Sequence, residues 1–518
     1  MSSIQHVAAV RRLDGARSTI QNPQGVPCTL LAREDVAVEA EAVEQLLQLL
    51  ALQDTLDDLW RRERAGASAP FFGDAPGRIA QVVLTPDFHR GAGIPVGTVI
   101  DARGFVIPAA VGSDVCCGMR LLATDLRAEE LVPVRARLEQ RLRAIFFEGE
   151  RDIPLSPRQR EAILREGLPG LHATRIDNAA VGIWRRYDAR AQEADLSRVH
   201  GGGGFPTDGL APFADYIRAS GARDGRDPQI GSVGGGNHFV EIQTVETTPG
   251  GATAHEWGLA RGRVVIMCHS GSVGLGHTVG ASFREAARRL HPAGAPHPAH
   301  GFHVLPTRGP HAEEGRRYLA AMRAAANFAF ANRLFLGLMA LRALSDAVGR
   351  EVHGQLVGDA PHNLVWAVDQ ERFLHRKGAC PAPGPSPETE SPFRYTGHPV
   401  IVPGSMGDAS HVLAGLGNDA LLASASHGAG RSLSRGAASH VEEAAAARAL
   451  APLRVVTPID PESPRLRGRP DILAAYRARL REEAPYAYKP VTPAIQTLEE
   501  AAVAAPVARL RPLVTVKG

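Results

Sequence analysis

The sequence predicts a mixed α/β fold of the α+β kind: one large domain with central β-sheets flanked by helices, its chemistry in strand-end loops. Three observations predict it. Short apolar runs recur along the chain, and each empties into a Gly-rich polar loop holding His, Asp or Ser. Ala/Leu/Arg-rich stretches with helical spacing lie between them. Hydrophobic content of 44% and charged content of 22% are ordinary for a globular chain, and 518 residues far exceed what one small core needs.

Taken in order, the N-terminal stretch MSSIQHVAAVRRLDG lacks an apolar run ahead of a small-residue cleavage site, so no signal peptide is expected. The stretch 39–60, EAEAVEQLLQLLALQDTLDDLW, spaces its apolar residues as an amphipathic packing helix does. Strand-to-loop units then follow at 81–93, 263–272, 354–363, 398–410 and 510–518. Residues 313–349 read as a long helix ending at a glycine stop, and 438–450 as a further helix. Two segments read as inserted loops. One is the Pro/Ser/Glu-rich 381–397. The other is 291–303, HPAGAPHPAHGFH, whose four histidines could bind metal weakly but are spaced for no compact site, so a plain loop is the favoured reading.

Composition excludes several classes. Five cysteines are too few for a secreted disulfide scaffold, and no run of about 18 uninterrupted apolar residues marks a membrane span. A reducing cytoplasmic setting is expected. The net charge of +3 forces no nucleic-acid reading. Only three of the 58 basic residues are lysines: Lys377, Lys489 and Lys517. In an arginine background a lysine is a candidate for a place that needs a compact ammonium, Lys489 being the weakest of the three.

Five clusters in polar loops carry candidate chemistry: Asp114 with Cys117; Asn237-His238 and Glu241 after a triple glycine; His269-Ser270-Gly271-Ser272; Asp359 with His362-Asn363; and Ser426-His427-Gly428-Ala429-Gly430-Arg431. A thiolate, imidazoles and a carboxylate form a ligand set for a divalent transition metal, and a thiolate can bridge two ions. That chemistry does not choose among zinc, manganese and cobalt. Arg431 and Arg435 are four apart. On one helix face after Gly430 they would suit phosphate oxygens, with His427 as a nucleophile toward phosphorus. A solvated arginine face with a turn histidine explains the same residues. No GxxxxGK[ST] phosphate loop is present.

Ten stretches together resemble one family, the RtcB-type RNA-splicing ligases: PDFHRGAGIPVG, GSDVCCGMR, GSVGGGNHFVEI, HSGSVGLGH, AMRAAANFAFANR, DAPHN, HRKGA, VPGSMGDAS, SHGAGRSLSR and the terminal VKG. They fall in the family's order. The resemblance implies residues 81–518 as an RtcB-like catalytic domain after an N-terminal helical or extension region, 1–80. It also implies a GTP- and Mn²⁺-dependent ligase that joins RNA 3′-phosphate or 2′,3′-cyclic phosphate ends to 5′-hydroxyl ends. Cys117 would bridge two Mn²⁺ ions, one completed by Asp114 and His238, the other by His269 and His362. His427 would be guanylylated. Asn237 would hold a GTP phosphate, and Glu241, Ser405, Ser410, Tyr488 and Lys517 would surround the guanine. Arg431, Arg435 and Lys377 would bind nucleotide or RNA phosphates. An archease-type activator is a candidate partner, and no membrane is involved.

Four positions depart from the family pattern; two of them, Phe88 and Pro361, sit in motif loops where other residues are expected and are not ligands. Cys116 stands where asparagine is common, and is expected to be a bystander. Val273 replaces the arginine of the HSGSRG motif, which removes an expected phosphate contact. The rival readings are a dinuclear metal phosphoesterase, an RNA-end-processing paralogue without ligation, and a non-catalytic RNA-binding protein.

Overall fold

The computed structural model describes residues 9–178, 181–219, 227 and 229–518; the first eight residues of the stretch read for a signal peptide lie outside them. Two large sheets organise the chain. The first runs in the order Val10–Arg12, Arg17–Ile20, Cys28–Leu31, Arg78–His89, Val96–Arg103, Arg372–Lys377, Asn363–Ala367. All its pairings are antiparallel except Cys28–Leu31 with Arg78–His89. The second runs Gly354–Pro361, Gly118–Arg127, Arg263–Ser270, Phe239–Thr247, Ala504–Val516, Ser410–Gly415, Pro399–Val402, with Val455–Val456 added in parallel to Ala504–Val516. The five strand-to-loop units read from the sequence all hold strands of these sheets. The N-terminal region, read as helical or an extension, holds the helices Ala40–Leu50 and Leu52–Arg64 and also supplies three strands, within residues 10–31, to the first sheet.

Alternation along the second sheet assigns its faces. Val264, Ile266 and Cys268 pack with the helix Ala312–Val348, whereas Val265 and Met267 face the opposite way with Trp257, Leu121 and Val412. His269 and Glu241 fall on that second face, since Phe239 pairs with His269 and Glu241 with Met267.

The helix Ala312–Val348 ends at Gly349, whose φ of 80° provides the left-handed cap. It is long and apolar enough to cross a membrane, yet 94% of its apolar window is buried inside the fold, so it is a core helix. Its polar side chains are structural ties. Asn332 accepts from the backbone N–H of Gly231 and Ser232 (2.8 and 3.2 Å) and donates to Gly271 O (3.2 Å). Arg333, fully buried, pairs with Asp359 (2.8 Å) and donates to Cys116 O (2.7 Å) and Ser270 O (3.0 Å). Asp359 also pairs with buried Arg120 (3.2 Å).

Two helices are shorter than read. The amphipathic stretch 39–60 forms Ala40–Leu50 and Leu52–Arg64, meeting at Ala51. The stretch 438–450 is divided between Arg435–Ser439 and Glu443–Leu450.

Removing the carboxylate of Asp359 would leave two buried guanidinium groups without their counter-charge. Breaking a buried ion pair from one side costs about 3–5 kcal/mol. Asp359→Ala should therefore lower the urea unfolding midpoint strongly, whereas exposed Asp471→Ala, paired only with Arg469 at the surface, should change it little. Equal midpoints for the two variants would show that the buried pairs do not hold the fold.

Candidate active site: a metal-donor cluster facing a histidine

The donors sit at the ends of four adjacent strands of the second sheet. Cys117 immediately precedes Gly118–Arg127, His238 precedes Phe239–Thr247, His269 is the penultimate residue of Arg263–Ser270, and His362 follows Gly354–Pro361. Their backbones are joined directly: His362 N–H donates to Cys117 O (2.8 Å), and Cys116 N–H to Asn363 O (2.7 Å). The Cys117 Sγ lies 3.2 Å from both His238 Nε2 and His269 Nε2. His269 Nε2 and His362 Nε2 are 3.3 Å apart, and His238 Nε2 lies 2.7 Å from Asp114 Oδ2. Asp114 is tucked against Gly271, where a Cβ would come within 2.3 Å of its carboxylate, so only glycine fits there.

Two donor groups result, Asp114–Cys117–His238 and Cys117–His269–His362, and Cys117 belongs to both. Their chemistry fits two divalent cations sharing one thiolate. Burial pushes the Cys117 thiol well above its usual range, with Asp114 adding to the shift. Burial and neighbouring cationic groups hold His269 and His362 well below the usual imidazole range, which keeps them neutral. Burial opposes the charge on Asp114, but His238 outweighs it and holds that carboxyl below its ordinary value. A bound cation would release the thiol proton and supply the missing positive charge.

Cys116 is different. It is fully buried in the main core, burial pushes its thiol to about 12, and it joins neither donor group. Its φ of 58° is a left-handed conformation, which asparagine adopts more readily than most residues.

Asp114, Cys117, His269 and His362 line a cavity of about 840 Å³, whereas His238 is not on its wall. The same cavity is lined by Asn237, Glu241, Lys377, Ser405, His427, Arg431, Arg435, Tyr488 and Lys517. Ser410 is not on its wall. Its hydroxyl accepts from Gln243 Nε2 (2.9 Å), and Gln243 in turn donates to Glu241 Oε2 (2.5 Å), so Ser410 supports Glu241 from behind. Burial raises the Glu241 carboxyl to about 7 against the hydrogen bonds from Thr515 and Gln243. Burial lowers Lys377 and Lys517 to about 8. Lys377 donates to the backbone carbonyls of Ala92 and Ile94 (2.9 Å for the latter). Lys489 lies outside the cavity wall, pairing with Glu39 (3.2 Å).

His427 follows the strand Ser424–Ser426, and its ring centre lies 4.7 Å from that of His362. It packs over Gly378 (φ 63°), where a Cβ would come within 3.0 Å of the imidazole. A residue that the sequence reading missed holds it: Asp87, fully buried, accepts from His427 Nδ1 at 2.6 Å. Burial disfavours the Asp87 charge, but His427 and the Thr85 hydroxyl (2.5 Å) outweigh it and keep the carboxyl below its usual range. Asp87 lies within the PDFHRGAG stretch, so its motif, though not its partner, was visible.

Arg431 and Arg435 do not share a helix face. The Ser434 side chain caps the backbone N–H of Ala437, so the helix starts at Arg435, while Arg431 lies in a bridge with Tyr488. They converge instead on buried Glu483, at 3.2 and 3.1 Å. Tyr488 also donates to Glu483, and Lys517 Nζ lies 4.0 Å from it. Glu483 is a second residue that sequence reasoning missed, and no motif marked it.

The fold and site thus define an α+β protein built on two large sheets, with two potential metal-donor groups sharing one cysteine and facing a carboxylate-held histidine. A family model described as tRNA-splicing ligase RtcB matches residues 72–518. The chain is 33% identical over 486 residues to the tRNA-splicing ligase RtcB of Thermococcus kodakarensis, covering 90% of this chain and 93% of that protein. It is 33% identical over 474 residues to the RNA-splicing ligase RtcB of Mycobacterium bovis, covering 86% and 98%. The chain belongs to the RtcB family, which places it among RNA ligases.

If Cys117 is the shared ligand, Cys117→Ala should lose both bound ions together, as read by metal content after gel filtration. Cys116→Ala removes one buried sulfur that belongs to neither donor group and should keep its full metal content. The reverse pattern would assign the ligand to the other cysteine.

Proposed function

We propose that the chain joins RNA ends bearing a 3′-phosphate or 2′,3′-cyclic phosphate to 5′-hydroxyl ends, using GTP and Mn²⁺, through a guanylylated His427. The observation that carries this reading is the pairing of His427 Nδ1 with buried Asp87 at 2.6 Å beside the donor cluster. With the Nδ1 proton directed at the carboxylate, Nε2 keeps its lone pair. Nε2 attacks the α-phosphorus of GTP; a P–N bond forms, the P–O bond to pyrophosphate breaks, and pyrophosphate leaves. A 2′,3′-cyclic phosphate is first opened by water, which breaks the P–O2′ bond and leaves a 3′-phosphate and a 2′-hydroxyl. An oxygen of the RNA 3′-phosphate then attacks the guanylyl phosphorus, the P–N bond to His427 breaks, and the GMP passes to the RNA end, activating its 3′-phosphorus. The 5′-hydroxyl attacks that activated phosphorus, and GMP leaves. Divalent ions held by Asp114, Cys117, His238, His269 and His362 would supply charge neutralisation during these displacements.

Asn237, on the cavity wall, would hold a GTP phosphate. Glu241, Ser405, Tyr488 and Lys517 would line the guanine end, with Ser410 holding Glu241 through Gln243. Lys377, Arg431 and Arg435 would meet phosphates, the two arginines exchanging part of their pairing with Glu483 for the ligand. An archease-type activator and a cytoplasmic location belong to the same reading. A second reading, end processing without ligation, draws on Val273 alone.

Two experiments test these roles. With α-labelled GTP and Mn²⁺, the protein should acquire an acid-labile, base-stable label, and His427→Ala none. Asp87→Asn should retain its metal yet label on the order of 10⁴-fold more slowly, as a histidine held in the wrong tautomer does. Labelling of Asp87→Asn at the parental rate would remove Asp87 from the mechanism.

Val273 opens the helix Val273–Leu290 with φ of 49°, a strained conformation for a β-branched side chain. Val273→Arg relieves branching and adds a guanidinium beside the His269 loop. It should raise ligation of 3′-phosphate RNA with little change in GMP labelling. Unchanged ligation would show that this position does not limit RNA-end handling.

A further inference from the structure

The loop 291–303 contradicts its reading as a plain loop. His291 ends the run out of the helix Val273–Leu290, and a turn closed by Ala295 N–H to Pro292 O (3.2 Å) brings the chain back on itself. The rings of His291 and His297 stack with centres 4.7 Å apart, and His303 stands edge-on to both at 5.3 and 5.2 Å. One ring nitrogen from each lies within 4.8 Å of the others, the closest pair being His297 Nδ1 and His303 Nε2 at 2.9 Å. Local spacing missed this because the convergence is made by the turn, not by a helix or strand period.

Backbone carbonyls orient the rings. His303 Nδ1 faces Gly301 O (3.3 Å) and His291 Nε2 faces Pro296 O (3.0 Å). Each carbonyl fixes a proton on the nitrogen it meets and leaves the other nitrogen of that ring basic, the arrangement that backbone oxygens give metal-ligating histidines. The loop is also anchored. Ala295 and Phe302 are buried in the core formed with the N-terminal helices, and Arg62 donates to Gly294 O (3.3 Å). Prolines at 292, 296 and 298 restrict the chain between the histidines. His300, the fourth histidine, is exposed and outside the cluster.

We propose that His291, His297 and His303 form a metal site of their own, for a borderline divalent ion of the Zn²⁺ class. Three neutral imidazoles and no carboxylate suit Zn²⁺, Ni²⁺ or Cu²⁺ and give Mn²⁺ none of the oxygen donors it prefers. His297 is exposed, so water has access to complete the coordination. Occupancy cross-links the end of the helix that begins at the His269 loop to the N-terminal core. The site shares no residue with the cavity that holds the donor cluster, and the inference stands whether or not that cluster serves ligation.

The test uses the full chain stripped by a chelator and titrated with Zn²⁺ against a chromophoric competitor, in a Cys117→Ala background that removes the shared ligand of the other cluster. His297 is exposed, so His297→Ala should fold normally, which circular dichroism checks. The expected result is one fewer Zn²⁺ per chain in His297→Ala than in its parent, with the same loss in His291→Ala. Zn²⁺ should raise the thermal midpoint of the parent and not of either variant. Equal zinc stoichiometry in the parent and both variants would overturn the site.

Discussion

Arg333 is the constraint on which the site depends. It is a charged group with no exposed surface, sited on the most buried helix of the protein. A buried guanidinium is tolerated only when its charge is paired and its N–H groups find acceptors. Here those acceptors are Asp359, Cys116 O and Ser270 O. Each belongs to a segment that carries a metal donor: His362 follows Asp359 by three residues, Cys117 follows Cys116, and His269 precedes Ser270. One side chain thus holds three segments in register. Asn332, its neighbour, ties the 231–232 and 271 backbones in the same way.

The site built on that frame separates two tasks. Strand ends of one sheet deliver Cys117, His238, His269 and His362, with Cys117 common to both donor groups. The histidine that faces them comes from elsewhere, held by Asp87 at the end of a strand of the other sheet. His427, the proposed nucleophile, therefore sits close to the donors but outside their set. Beyond it, one buried carboxylate, Glu483, gathers Arg431, Arg435, Tyr488 and Lys517 at the far wall.

What the sequence made legible was local. Apolar runs ending in polar loops marked the strands that carry His269 and His362, but not those that follow Cys117 and His238. The Ala/Leu-rich run with a terminal glycine marked Ala312–Val348. The donor residues were legible because each motif keeps its chemistry within a few residues. What was not legible was convergence. Asp87 and His427 are 340 residues apart, and nothing in either loop announces the other. The face shared by Arg431 and Arg435 was misread because Ser434 caps a helix that periodicity could not start. The histidines of 291–303 were misread because a turn, which has no period, brings them together. The left-handed backbone at Cys116 explains why asparagine suits that position, a point visible only in the dihedral angles.

The most direct test of this account is the anomalous scattering of a crystal soaked in Mn²⁺, recorded near the manganese edge. The structure predicts two peaks sharing the Cys117 sulfur, one beside Asp114 and His238 and the other beside His269 and His362. A single peak away from Cys117, or density centred on Cys116, would contradict it.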